Sequence, residues 1–417
     1  MPRPTVHIIG AGLAGLSAAV ELAGTGRKVV VHELARHAGG RCRSYFEPAL
    51  GMMIDNGNHL LLSGNRAALS LLKTIGAADR LAGPKEAEFA FADLATGERW
   101  LLRPNMGLFP WWILSEQRRV PGTKASDYLA LTHLLRVKGD PTLAERVPCH
   151  GTLYDRLLRP VFLAALNTEP AQASAALAGA IVRETLAAGG RACRPLIAAS
   201  GLGAAFIDPA LDYLQRFGVE VHFDHQLRAL DLAGDAVREL DFGADKAELG
   251  PADTVILAVP GWVAPAFVPG LSVPKTYSAI INAHFKIAPP PAVSPLLGVV
   301  NATTEWLFAF PDRLSVTVSA GDRFLEAERE PLARQIWAEV ARLTGLPAAL
   351  PPWHIVKERR ATFAALPHEN ALRPGAQTKW RNLVLAGDWT QTGLPATIEG
   401  AIRSGARAAD LALGRAS

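Results

Sequence analysis

Thr5-Val6-His7-Ile8-Ile9-Gly10-Ala11-Gly12-Leu13-Ala14-Gly15 runs from a β-branched apolar stretch into a glycine-spaced turn, and Leu16 to Leu22 continues at helical spacing in alanine and leucine. Gly24 and Gly26 end that helix, and Lys28 to His32 is β-branched again, a second strand closing on Glu33. This is a βαβ unit carrying Gly-x-Gly-x-x-Gly between its first strand and its helix, with an acidic residue about twenty positions on. Gly10 permits the tight turn. Gly12 lets backbone N–H groups approach a pyrophosphate at the helix N-terminus, and Gly15 lets helix and strand pack closely. Glu33 is placed to accept hydrogen bonds from adenosine ribose hydroxyls.

The chain has 417 residues, more than a single core usually supports, so two domains sharing a cleft are expected. Hydrophobic residues make up 49% and charged residues 20%, the balance of a folded protein. The net charge of +4 is small and no basic stripe is visible, which argues against nucleic acid as a partner. Cys42, Cys149 and Cys193 are odd in number and lack C-x-x-C spacing, so neither a disulfide framework nor a metal site is expected. A reducing compartment fits. The absence of a basic, apolar and cleavable leader ahead of Thr5 leads us to expect a cytoplasmic protein. No apolar run approaches the ~18 to 20 residues that span a bilayer. The nearest is Leu108 to Leu114, with Phe109, Trp111, Trp112 and Ile113, beside Arg118 and Arg119. That run is a candidate for peripheral contact with the inner membrane.

Residues 76–194 have a different texture and read as a largely helical insertion, with helix-like stretches at 124–137 and 173–188. Alternation returns at 219–223, 227–242 and 254–259. Segments 278–287 and 314–319 read as strands of a second sheet, and 325–344 as a helix. Residues 382–386 form a last buried strand, followed by a loop and an alanine-rich helix over 398–413. The expected fold class is α/β, a Rossmann-like dinucleotide-binding domain with a discontinuous α+β substrate domain and a helical insertion. The expected boundaries are 1–75, 195–265 and 375–417 for the first domain, and 76–194 and 266–374 for the second.

The βαβ unit alone does not choose between FAD and NAD. Gly39-Gly40-Arg41-Cys42-Arg43-Ser44 follows the second strand, offering two glycines for backbone approach and two arginines for a pyrophosphate or a flavin oxygen. With Gly387-Asp388 and Gly400-Ala401-Ile402-Arg403-Ser404-Gly405, these segments resemble the flavin-containing amine oxidase and carotenoid desaturase superfamily, and they bracket nearly the whole chain. The resemblance implies bound FAD, with contacts at Gly10, Gly12, Leu13, Ala14, Gly15, Glu33, Gly40, Arg41, Gly57, Asn58, Leu227, Gly387, Asp388, Ala396, Thr397 and Ile398. It also places the N-terminus of the last helix toward the flavin, where the helix dipole stabilises negative charge on a reduced ring.

Within the superfamily, residues 39–45, Ile54-Asp55-Asn56-Gly57-Asn58-His59 and 386–400 are most similar to the hydroxysqualene dehydroxylases, with Asn58 where many relatives carry glutamine. That implies reductive removal of the allylic hydroxyl of hydroxysqualene, an isoprenoid substrate, in squalene and hopanoid synthesis. An acid is needed for the leaving oxygen, and His59 is the candidate. Asp55 either orients His59 or caps a turn. Amine oxidases carry Glu-x-Arg after the second strand, but Leu34 and Ala35 follow Glu33 here. They also place a lysine in the strand matching 278–285, where this chain reads Ile280-Ile281-Asn282-Ala283-His284 and has Lys286 only later. The alternatives are a carotenoid or phytoene desaturase, an amine oxidase, and a non-catalytic prenyl-lipid scaffold of the GDP-dissociation-inhibitor kind.

Overall fold

The computed structural model describes residues 3–415. Five parallel strands form the first sheet, in the order Glu220–His222, Lys28–His32, Thr5–Ile9, Thr254–Leu257, Leu383–Leu385. Parallel strands covered on both faces need continuous apolar runs, and Val29, Val30 and Val31 supply one with β-branched side chains suited to the pleat. The chain leaves Thr5–Ile9 toward one side and later returns on the other. The crevice at the carboxyl end of that central strand is therefore the topological switch point where such sheets bind ligands.

Two helices cover the switch point. Leu13–Leu22 and Ile398–Ala412 cross at Gly405, where a Cβ would come within 2.2 Å of the Ala14 carbonyl oxygen. Ser17 Oγ also donates to the Ile402 carbonyl at 3.1 Å. The C-terminal helix thus packs onto the N-terminal one, bringing both chain ends to one crevice.

The second sheet has seven strands, in the order Trp353–Phe363, Tyr277–Phe285, Arg313–Val318, Trp306–Phe310, Leu296–Val300, Phe89–Asp93, Arg99–Leu102. On one face it buries Phe285 and Ile281 against Ile336 and Trp337 of the helix Arg329–Thr344. On the other, Phe91, Trp100, Trp306 and Phe308 pack against Trp112, Tyr128, Leu157 and Phe162 of segment 112–166.

That second layer corrects the reading of 76–194 as mainly helical. The segment opens with a hairpin, Phe89–Asp93 paired with Arg99–Leu102, that forms the edge of the large sheet. Its signal was Phe89 and Phe91 in alternation ahead of a turn at Gly97, masked by alanines, which favour helix over strand. Ala125–Leu134 winds as a 3₁₀ helix, and the longer stretch near 173–188 divides into Ala175–Glu184 and a 3₁₀ turn, Leu186–Ala188. No helix among the described residues is long and apolar enough to cross a membrane.

Candidate functional site

The glycine-rich turn carries the backbone geometry its spacing requires. Gly10 has φ +109°, and a Cβ there would lie 2.7 Å from the Ala258 carbonyl oxygen; at Gly15 a Cβ would lie 1.9 Å from the Gly10 oxygen. Gly12 is different, because a Cβ on it would meet nothing within 4 Å. The space before Gly12 is open, at the start of a helix with no side-chain cap and no acidic residue in its first turn. The first N–H groups of that helix, those of Leu13 and Ala14 among them, face an uncapped end where a diphosphate fits. Gly39 and Gly40 complete the cradle. The Gly39 N–H donates to the Ala11 carbonyl at 2.8 Å, and a Cβ on Gly40 would sit 3.6 Å from Gly12 Cα.

Glu33 accepts from the Ala11 N–H at 2.7 Å through one oxygen and from the Ala35 N–H at 2.9 Å through the other. A carboxylate has about four acceptor positions, so two remain for ribose hydroxyls. Leu227 stands near this end of the crevice, its side chain buried with Ile9, Leu240, Phe242 and Val255.

Arg41 ties the two ends of the chain together. Its guanidinium donates to Asp388 Oδ1 at 2.7 Å and to the Ala361 carbonyl at 2.7 Å. Burial alone lowers the Arg41 pKa, and the charge and hydrogen bond of Asp388 more than reverse that. Arg43 points elsewhere, donating to the Gly40 carbonyl from an exposed position. Gly387 has φ +146° and its N–H donates to Ser404 Oγ at 2.8 Å, which fixes the Gly-Asp turn against the C-terminal helix. Thr397 is the N-cap of that helix, accepting from the Gly400 N–H at 3.0 Å. Ala396 and Leu60 pack against the apolar cluster between the large sheet and segment 112–166, so that cluster adjoins the crevice.

Asp55 does not orient His59. One of its oxygens accepts from Ser44 Oγ at 2.5 Å and from the Leu202 N–H at 2.9 Å, which pins the Ser44–Glu47/Met52–Asp55 hairpin to the turn at Gly201. The imidazole is held instead by the Gly57 carbonyl, 2.9 Å from His59 Nδ1. A carbonyl only accepts, so Nδ1 carries the proton and Nε2 a lone pair. Burial pushes the His59 pKa below its usual 6.5, against the raising effect of the Gly57 hydrogen bond. Burial thus favours the neutral imidazole.

Three buried side chains, Asn282, Thr317 and Arg373, escaped the reading of the sequence as site residues. Asn282 Oδ1 accepts from the Asn58 N–H at 3.3 Å, Asn58 Nδ2 at 3.4 Å and Thr317 Oγ1 at 2.9 Å. Asn58 Nδ2 also reaches Thr317 Oγ1 at 3.1 Å. Asn282 is fully buried within the strand Tyr277–Phe285. Lys286 is turned away, donating to the Leu50 carbonyl, and Lys357 donates to the carbonyls of Phe324, Leu325 and Ala327. Arg373 is the third. It donates to the carbonyl oxygens of Thr390 and Asp388 and to Thr392 Oγ1, and its pKa is pulled down to about 10 by burial. No local pattern marks Asn282, whose partners Asn58 and Thr317 lie 224 and 35 residues away. Among the described residues no group of three His, Cys, Asp or Glu side chains is placed to hold a metal ion.

Residues 13–413 match the family described as flavin containing amine oxidoreductase. The chain is 56% identical to the hydroxysqualene dehydroxylase of Rhodopseudomonas palustris over 98% of both chains, and 53% identical to that of Sinorhizobium fredii over 99% of both. Putrescine oxidase bound to putrescine superposes with a TM-score of 0.72 at 17% identity, covering 99% of this chain and 100% of that one, a likeness of fold. The open cradle before Gly12, the Arg41–Asp388 clamp and the uncapped helix suit FAD, and the chain belongs to the flavin-containing amine oxidoreductase family as an FAD oxidoreductase.

Proposed function

We propose that this chain converts hydroxysqualene to squalene in squalene and hopanoid synthesis. The observation carrying this reading is the likeness, over 98% of both chains, to a protein named hydroxysqualene dehydroxylase. The allylic C–O bond breaks, the oxygen takes a proton and departs as water, and a hydride arrives at carbon. When bound and reduced, FAD supplies that hydride. The chain's own residues hold the cofactor, exclude water and move the proton.

Gly10, Gly12, Leu13, Ala14, Gly15 and Gly40 take the diphosphate, Glu33 the ribose and Leu227 the adenine end. Gly387 and Asp388, fixed by Arg41 and Arg373, take the ribityl. Ala396, Thr397 and Ile398 meet the ring at the helix N-terminus, opposite Gly57 and Asn58. In this reading segments 1–75, 195–265 and 375–417 form the cofactor domain, and 76–194 with 266–374 the substrate domain.

His59 delivers the proton. Because burial depresses its pKa, the imidazolium is scarce at pH 7, but each one is a stronger acid than an ordinary histidine. Asn282 in place of lysine leaves no amine in that strand and is consistent with a neutral isoprenoid substrate.

The test is anaerobic incubation of the reduced holoenzyme with hydroxysqualene and, in parallel, of the oxidised holoenzyme with phytoene. Squalene and water from the first, with no desaturated product from the second, is the expected result. A desaturated product from phytoene alone overturns the assignment.

A further inference from the structure

Leu108, Phe109, Trp111 and Leu114 are 72%, 74%, 45% and 65% exposed, four large apolar side chains on one short loop. Trp112, between them, is buried against Tyr128 with ring centroids 5.2 Å apart, so the run divides into an anchor and a projecting tip. The anchor belongs to the apolar cluster that also receives Leu60 and Ala396. The tip is therefore fastened to the same layer that adjoins the cofactor crevice.

Part of the tip's backbone is bonded from within. Asn105 Nδ2 donates to the carbonyls of Gly107 and Phe109, and Asn105 Oδ1 accepts from the Trp112 N–H. The Ile113 N–H reaches the Pro110 carbonyl and the Ser115 N–H the Trp112 carbonyl, while Arg119 Nη1 covers the carbonyls of Ile113 and Leu114. Each such bond lowers the cost of bringing irregular backbone into an apolar phase.

Charge gathers on the same segment. Residues 103–138 contain six basic residues, Arg103, Arg118, Arg119, Lys124, Arg136 and Lys138, against Glu116 and Asp127. That surplus equals the whole chain's net charge of +4, so the remainder of the protein is balanced. Arg118 lies over the Trp111 ring at 4.7 Å, and among the described residues it has no carboxylate at ion-pair distance. An aromatic ring with a cation over its face suits the level of lipid headgroups.

We propose that the loop 106–119 is a docking tip that inserts into a bilayer bearing anionic headgroups, with Leu108, Phe109 and Leu114 in the acyl boundary and Arg118 at the phosphates. A second copy of the chain is the poorer occupant, because a symmetric pairing of this tip would bring two like-charged surfaces together.

The experiment is flotation of the FAD-loaded full chain with vesicles of phosphatidylcholine alone and of phosphatidylcholine mixed with phosphatidylglycerol. Wild type should float with the mixed vesicles, and less so as salt rises. Phe109→Ser/Leu114→Ser should reduce the bound fraction ~10-fold or more, and Arg118→Gln about 5-fold on anionic vesicles only. These side chains are exposed, so flavin absorbance and melting temperature should stay at wild-type values and serve as the folding control. Wild type that fails to float, or a Phe109→Ser/Leu114→Ser variant that floats as well as wild type, overturns the proposal. So does a variant whose only change is loss of a dimer in analytical ultracentrifugation. None of these readouts uses turnover, so the result stands apart from the assignment of substrate.

Discussion

Replacing Arg41 by methionine keeps the aliphatic stem and removes the guanidinium that joins residue 41 to Asp388. The Asp388 side chain is 6% exposed and that of Arg41 37%, with 2.7 Å between Nη2 and Oδ1. Breaking a fully buried pair costs roughly 3–5 kcal/mol and an exposed one about 0.2–1 kcal/mol. A pair buried on the acid side and screened on the base side falls between, at about 2 kcal/mol. The loss falls on the turn that presents Gly387 and Asp388, so FAD affinity should drop by the fraction of time the turn is misplaced, about 30-fold for ~2 kcal/mol. Titration of apoprotein with FAD, read by quenching of flavin fluorescence, measures this directly. The double-mutant cycle with Asp388→Asn isolates the pair, with an expected coupling of about 1–2 kcal/mol. A coupling under ~0.3 kcal/mol would refute the clamp and leave Arg41 acting only through the Ala361 carbonyl.

Three more outcomes are expected. His32 and His284 are buried with pKa values pushed down to about 3, by burial first and then by neighbouring histidines and Arg313. Both stay neutral in the fold and protonate when unfolded, so stability is full above pH 6.5 and falls as pH drops toward 3; at pH 5 each should cost roughly 2 kcal/mol, read as a lower holoprotein melting temperature. An unchanged melting temperature between pH 7.5 and pH 5 rules this out. For His59, whose pKa is also depressed, kcat/KM should climb about tenfold per unit as pH falls from 8 toward 6, and His59→Gln should bind FAD normally yet lose that slope. A slope surviving in His59→Gln transfers the proton to another donor. Gly405→Ala should destabilise by about 1–3 kcal/mol or more, because the added Cβ meets the Ala14 carbonyl, which is backbone and cannot swing aside. Wild-type stability in a denaturant melt would contradict the close helix crossing.

The sequence by itself determined the parts whose physics is local. A βαβ unit with Gly10, Gly12 and Gly15 is legible because turn geometry, helix start and strand composition are written within about thirty residues. The alanine-rich helix over 398–413 is equally short-range. The tertiary structure alone decided what depends on partners far along the chain. Arg41 meets Asp388 across a separation of 347 residues, Asn58 meets Asn282 across 224, and neither side chain advertises its mate. Asp55 pins the turn at Gly201, and burial favours the neutral form of His59, because burial and the identity of the nearest acceptor are set by packing. The apolar run at 108–114 shows the division most plainly: residue type gives hydrophobicity alike for Trp111 and Trp112, and only the fold turns one outward and the other into the core.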